Sequence, residues 1–185
     1  MKYDIVIAGF VGAYGASVLC ENKSEELSSF FNKGFLKQAL EFKELALEAG
    51  EKAVDFAKAN DLPFKSAGEC GIYKALWDLG EELSAGFNLN MRKFPVAQHA
   101  IEICEFFDIS PYELYSAGAV CIAAPNGTET VEKLAELNVN AALVGYTTDN
   151  NDRLLYYDEE ARFLKYTKKD ALFKVIRKSR IQGMD

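Results

Sequence analysis

Three glycines follow the first apolar segment of the chain. The segment from Asp4 to Ala8 is typical of a buried strand, and Gly9, Gly12 and Gly15 come directly after it. Glycines between a strand and a helix allow close backbone approach, and the amides of a helix start can hold an anion. The spacing is GxxGxxG, which is neither GxGxxG nor a Walker loop because no Lys-Ser/Thr pair follows. A tight strand-to-helix turn is therefore the favoured interpretation, and a phosphate site is the alternative.

A second candidate is the small-residue loop KSAGECG, residues 65–71, which leads into a helix. Its carboxylate and amides could orient a phosphate, a metal-bound water or a substrate amine. The more common arrangement is a helix cap, in which Glu69 sits at the positive end of the helix that follows. The cap is favoured over the site. Ser66, Gly68, Glu69, Cys70 and Gly71 are the candidate ligand-binding residues here.

Cysteine and histidine often carry catalysis, but neither offers a clear catalytic candidate here. Cys70 at a helix start could have a lowered thiol pKa, although a partly buried, inert cysteine is the more common case. The only histidine, His99, is expected to be a solvated surface residue. It is not close to Cys70 in sequence, so the chain offers no evident base to activate that thiol. The cysteines are far apart, which favours neither a disulfide framework nor a zinc site. No metal site is predicted, and no catalytic residue is assigned.

Composition and charge restrict the class of protein. The 185 residues suit one compact domain, and 49% hydrophobic with 26% charged residues is typical of a soluble globular protein. The net charge of −7 argues against nucleic-acid binding. The basic segment Lys165–Arg180 is better explained as the end of a helix. With no apolar run of membrane-span length and no signal-peptide core, we expect a cytoplasmic protein that does not enter a membrane.

The elements that must position these residues follow from periodicity and capping. The predicted strands are residues 4–8, 86–91, 119–124 and 141–148, with a hairpin formed by 153–157 and 162–166. The predicted helices are residues 16–21, one from Ser24, 36–60, 71–83, 96–107, a short one capped by Ser110, 128–137 and 168–178. Ala97, Ala100, Ile101, Cys104 and Phe107 are expected on one buried face.

Strands and helices mix without strict βαβ repetition. This pattern predicts an α+β protein, a layered α/β domain with a mixed sheet. No repeat, low-complexity tract or flexible linker divides residues 1–185, which we expect to form a single domain.

The segment from Pro95 to Pro125 carries a resemblance to a known family. It includes EICEFFDISPYEL, residues 102–114, followed by YSAGA, residues 115–119. Together with the glycine turn after residue 8, the 65–71 loop and Val144-Gly145, this order of motifs resembles the C-terminal domain of AIR synthase-related proteins, the PurM and HypE type. The resemblance covers Asp4 to about Val175. It implies a PurM C-terminal-like fold and adds Ser116 and Gly118 to the candidate ligand-binding residues.

The sequence departs from that family where the chemistry would lie. The family's loop has the form His-Asp-x-Thr-Glu-Gly-Gly. Here Ser66 replaces the Asp and Gly68 the Thr, so that only Glu69 and Gly71 remain. A serine does not bring the negative charge that an aspartate offers a cation. The family's N-terminal ATP-binding domain and the C-terminal cysteine of HypE-type proteins are also missing from these 185 residues.

Three functions are therefore weighed. The first is a stand-alone domain, non-catalytic by itself, which acts with a partner or as a homodimer formed through a sheet edge or through the surface that the family's N-terminal domain would cover. The second is half of an ATP-dependent enzyme, of the hydrogenase-maturation or purine-synthesis type, that is completed by a separate ATP-binding chain. ATP and Mg²⁺ would then be cofactors only with that partner, and Gly12, Glu69 and Gly118 would face nucleotide or substrate. The third is a small-molecule or nucleotide binder without the chemistry.

Overall fold

The chain is built around one mixed sheet of seven strands. The structure, a computed structural model, describes residues 2–177. The strands are β1 (Asp4–Ala8), β2 (Phe64–Ser66), β3 (Gly86–Asn90), β4 (Val120–Ala124), β5 (Ala141–Thr148), β6 (Arg153–Tyr157) and β7 (Glu160–Phe163). Their order across the sheet is β2-β4-β1-β5-β3-β6-β7. Among neighbouring strands of the described residues, β3 and β6 are the one parallel pair, and the other pairs are antiparallel.

Helices pack on both faces of the sheet. They are α1 (Ala13–Asn22), α2 (Ser24–Ser28), α3 (Lys33–Ala59), α4 (Gly71–Leu83), α5 (Gln98–Phe106), α6 (Gly127–Glu136) and α7 (Leu172–Val175). Alternate side chains of β1 face opposite sides of the sheet, so each side has its own hydrophobic core. Ile5 and Ile7 point towards α4, whereas Val6 and Ala8 share a core with α3 and α6. The predicted α+β class with a mixed sheet is confirmed.

The longest helix, α3, packs into two hydrophobic cores, one shared with α1 and one shared with the sheet. The side chain of Asn32 accepts a hydrogen bond from the amide of Phe35 at 2.9 Å and so caps its start. Ala39, Ala46 and Ala53 recur at every seventh position and are fully buried. These small side chains let α3 lie close to α1 at one end and to the sheet at the other.

Several element boundaries differ from those predicted. The segment Phe64–Ser66, which overlaps the start of the expected 65–71 loop, forms β2 because it pairs with β4. The second hairpin strand is β7, earlier than predicted. The terminal helix covers only Leu172–Val175 of the described residues, and the predicted end at Lys178 lies outside them.

The short helix predicted after Ser110 is a turn. The carbonyl of Tyr112 accepts a hydrogen bond from the amide of Tyr73, and that of Glu113 accepts one from Ala171. These carbonyls bind other elements and are therefore not paired within a continuing helix.

His99 is buried, so its predicted surface position is wrong. It lies on α5 and is 5% exposed. The centroid of its ring lies 4.6 Å from that of Phe42, a residue of α3 that packs against it. Burial lowers the pKa of His99 to about 4, although a hydrogen bond with the Ala13 backbone opposes this shift. Within residues 2–177 its Nε2 has no hydrogen-bond partner. On the same helix Ile101 was predicted to be buried, but it is exposed. Ile103 is buried instead.

Among residues 2–177, no helix combines the length and the apolar character needed to cross a membrane.

Candidate functional site

Three loops that contain the predicted site residues meet at one end of the sheet. Strands β1 and β2 are both antiparallel to β4, so the ends of β1 and β2 lie beside the start of β4. The amide of Gly12 donates to Oγ of Ser116 at 2.9 Å. The amide of Ser116 in turn donates to the carbonyl of Gly68 at 3.1 Å. The structure therefore brings the glycine turn, the 65–71 loop and the Ser116–Gly118 corner into contact.

The backbone amides of the glycine turn are already hydrogen-bonded within the protein. Gly9 donates to the carbonyl of Asn140 at 2.7 Å, and Gly15 donates to that of Tyr115 at 3.0 Å. Together with the Gly12–Ser116 bond, these contacts leave the turn few donors for an anion. The geometry is that of a tight turn holding neighbouring loops. A ligand-binding role for Gly9, Gly12 and Gly15 stays a prediction.

The residue that organises the second loop is Asp170, which the sequence did not single out. Its Oδ2 accepts a hydrogen bond from the amide of Cys70 at 2.6 Å. Its Oδ1 accepts from the amides of Tyr115 at 3.1 Å and Leu172 at 2.8 Å. Burial raises the pKa of the Asp170 carboxyl, and these amide hydrogen bonds oppose the shift. Its position before a short helix was the only available sequence signal, since Asp is a common cap.

The structure favours an inert Cys70 over a reactive one. Burial raises the pKa of its thiol to about 11, and the negative charges of Asp170 and Glu69 add to the effect. At neutral pH the group is therefore a thiol and not the nucleophilic thiolate. The amide of Gly71, next along the chain, donates to the carbonyl of Gly68 at 3.0 Å and closes the loop.

The corner at Gly118 is shaped by a close crossing with α3. Gly118 has φ +90°, and a Cβ there would overlap the carbonyl oxygen of Ala46. A Cβ on Gly50, one turn along α3, would lie 2.5 Å from the Cα of Gly118. Two glycines thus bring the helix backbone onto the start of β4.

A cleft opens next to this crossing, between α3 and the β2–β4 edge of the sheet. Its volume is about 460 Å³. We call it the α3 cleft, and its lining residues are Leu47, Gly50, Glu51, Val54, Asp55, Lys58, Ser66, Gly118, Ala119 and Val120. Of the predicted site residues, only Ser66 and Gly118 line it. Sequence reasoning missed Glu51, Asp55 and Lys58, whose helical spacing on one side of α3 was the available signal.

The described residues do not form a metal site by themselves. Within residues 2–177, no group of three or more His, Cys, Asp or Glu is arranged to hold a metal ion. Ser66 contributes a hydroxyl where the resemblance would place a carboxylate. These donors do not fit a resident metal.

Comparison with known proteins identifies the fold. No family model matches the sequence, and no curated protein matches it either. The chain is similar to the solved structure of HypE from E. coli, a hydrogenase maturation protein, with a TM-score of 0.68 and 16% identity. This match covers 92% of the present chain and 51% of HypE.

Two further solved structures agree. The HypE–HypF complex matches with a TM-score of 0.62 and 18% identity, over 88% of this chain and 52% of the other. Thiamine-monophosphate kinase from Stenotrophomonas maltophilia K279a matches with a TM-score of 0.60 and 15% identity. This match covers 86% of the present chain and 51% of the kinase. The predicted PurM-like fold is confirmed. The chain spans about half the length of the structures that it matches.

Proposed function

We propose that this PurM-like domain is non-catalytic by itself and works as one component of a larger assembly, most simply a homodimer. Its contact surface would be the exposed side of α3. This α3 surface consists of Leu40, Leu47 and Val54 together with the α3 cleft.

The observation that carries this proposal is an apolar line along the outside of α3. Leu40 and Leu47 are each 40% exposed, and Val54 is half-buried. They recur at every seventh position, so they lie on one side of the helix, next to the buried alanine stripe. Exposed charged residues, Glu44 and Glu51, lie alongside. An apolar line with a charged border is a common composition for a protein interface.

The chemistry of the predicted site also favours binding over catalysis. The amides of the glycine turn are used within the fold, and the Cys70 thiol is protonated at neutral pH. Neither group provides an activated nucleophile or an open anion cradle. A reaction at this end of the sheet would need groups from another chain.

Substitution on α3 tests the homodimer. Leu47→Glu places a charge in the middle of the α3 surface, and we expect it to convert the dimer into a monomer in light scattering after size exclusion. Leu137→Glu is the matched control, because Leu137 is 42% exposed at the end of α6 and is not one of the residues of the α3 surface. Equal masses for both variants and the wild type would contradict the role of α3.

A second candidate is an enzyme completed by a separate ATP-binding chain. Two observations favour it: the matched structures are about twice as long as this chain, and another similar solved structure is HypE in complex with ATP. ATP and Mg²⁺ would then bind only to the mixture, with Gly12, Glu69 and Gly118 towards the nucleotide or substrate. Thermal shifts with Mg-ATP for each chain and for the mixture distinguish the two candidates. Stabilisation of the mixture alone supports the second.

A further inference from the structure

A second cavity lies beside the last two strands of the sheet. We call it the β7 cavity; its volume is about 360 Å³, and its lining residues are Met91, Tyr112, Leu155, Tyr157, Glu160, Ala161 and Arg162. In the β6–β7 register, Leu155 is paired with Arg162 and Tyr157 with Glu160. The volume falls in the range of sites that bind small organic molecules. None of the predicted site residues lines this cavity.

The walls of the β7 cavity are aromatic and well supported. The ring of Tyr112 stacks on that of Tyr73, with centroids 5.3 Å apart and planes 11° apart. Phe94 packs edge-on against Tyr112 at 5.8 Å. Met91 and Leu155 are buried at 6% and 1% exposure and add apolar surface. Tyr112 and Tyr157 are the aromatic residues of the lining, and packing against Tyr73 and Phe94 holds the Tyr112 ring in place.

The cavity is also lined by the guanidinium of Arg162, which forms no ion pair within the described residues. Nη2 of Arg162 donates to the hydroxyl of Tyr73 at 2.7 Å and lies 3.3 Å from Sδ of Met91. Burial raises the pKa of Tyr73 to about 12, so at neutral pH this partner is an uncharged phenol. Among residues 2–177, Arg162 has no carboxylate oxygen within 4.0 Å.

The other charged residues near the β7 cavity do not form an ion pair with Arg162 within the described residues. Arg92 pairs with Asp158 at 2.5 Å, and its guanidinium lies 4.6 Å from the Tyr157 ring. Those two charges cancel each other. Glu160 lines the same cavity but forms no ion pair with Arg162 within the described part of the chain. The guanidinium is therefore held in place by neutral groups and remains able to bind an anion.

We propose that the β7 cavity binds a small planar carboxylate, an aromatic or heteroaromatic acid, with its ring against Tyr112 and its carboxylate on Arg162. A guanidinium presents paired N–H donors that match both oxygens of a carboxylate. The aromatic wall adds stacking that an inorganic anion would not gain. This site is independent of the α3 surface and does not require the dimer.

The test uses the full chain and three probes: 4-hydroxybenzoate, its neutral amide 4-hydroxybenzamide, and inorganic phosphate. Binding is followed by NMR titration of the backbone amides. We expect 4-hydroxybenzoate to shift the signals of Tyr112, Leu155 and Arg162, with affinity at least about tenfold above that of both other probes. Equal affinity for the amide would overturn the role of charge. Equal affinity for phosphate would overturn the role of the ring.

Variants locate the site. Arg162→Gln should weaken 4-hydroxybenzoate binding about tenfold or more, and Lys37→Gln should not, although both remove one positive charge. Lys37 has a side chain 78% exposed on α3. Glu160→Gln removes a negative charge from the cavity and should tighten binding. If Arg162→Gln does not fold, Arg162→Lys should still weaken binding, because it keeps the charge and loses the paired donors. Unchanged affinity in the folded Arg162 variant, or no shift with 4-hydroxybenzoate, would refute the proposal.

Discussion

The amide of Cys70 and Oδ2 of Asp170 lie 2.6 Å apart, although the two residues are 100 positions apart in sequence. Through this hydrogen bond and those of Tyr115 and Leu172, one buried carboxylate connects the start of α4, the corner before β4 and the start of α7. The end of the sheet that contains the predicted site is therefore held together from the C-terminal part of the chain.

Asp170→Asn should lower the free energy of unfolding by roughly 1–3 kcal/mol at pH 7, because an amide cannot accept hydrogen bonds at both of its heavy atoms. Urea unfolding followed by the fluorescence of Trp77 measures the change. Asp149→Asn, at an exposed position, is the control and should have little effect. Equal stability of the Asp170 variant and the wild type would show that this network contributes little.

His99 should make stability depend on pH below 6.5. Its pKa is about 4 in the folded protein and near 6.5 when unfolded, so in between the unfolded chain binds the proton more readily. The contribution of the neutral ring is complete above pH 6.5 and is lost as the pH falls towards 4, by about 3 kcal/mol in total. The quantity to measure is the difference in unfolding free energy between wild type and His99→Phe. The pH dependence that the carboxylates contribute is common to both proteins and drops out of this difference. A difference that stays constant between pH 6.5 and 4 would contradict the buried, neutral histidine.

Gly118→Ala should destabilise the fold by roughly 2 kcal/mol or more, because alanine is strained at this φ and its Cβ meets the Ala46 carbonyl. Gly68→Ala in the neighbouring loop is the matched control. A Cβ at Gly68 has no atom within 4 Å, so its effect should be small. Thermal melts of both variants test the close crossing of α3 and β4, and similar melting temperatures would argue against it.

The Cys70 thiol should react slowly with iodoacetamide at pH 7. Its pKa of about 11 leaves little thiolate at that pH, and the reactive fraction rises as the pH approaches 11. Mass spectrometry of the peptide that contains Cys70 gives the rate, with the urea-unfolded chain as the reference. If the native protein reacts at pH 7 as fast as the unfolded chain does, Cys70 is more exposed and more acidic than the structure indicates.

Much of the fold could be predicted from the sequence because its signals are local. The strand before Gly9 is a continuous apolar run, and α4 has apolar residues at helical spacing; both are found where expected. The turn after Ser110 could not be predicted, since its carbonyls pair with Tyr73 and Ala171, which are distant in sequence.

The candidate site was less predictable for the same reason. The three loops were recognised one by one, but their contacts depend on Asp170 and on the crossing of Gly50 with Gly118. Gly50 and Gly118, which form that crossing, also line the α3 cleft. The surface position expected for His99 was wrong because Phe42, on another helix, covers it.

The proposed assembly is tested most directly by the mass of the wild-type chain in solution. Light scattering after size exclusion, repeated over a range of concentrations, should give twice the mass of one chain, and Leu47→Glu should return it to the mass of one chain. A wild-type protein that remains monomeric at the highest concentration would contradict the homodimer.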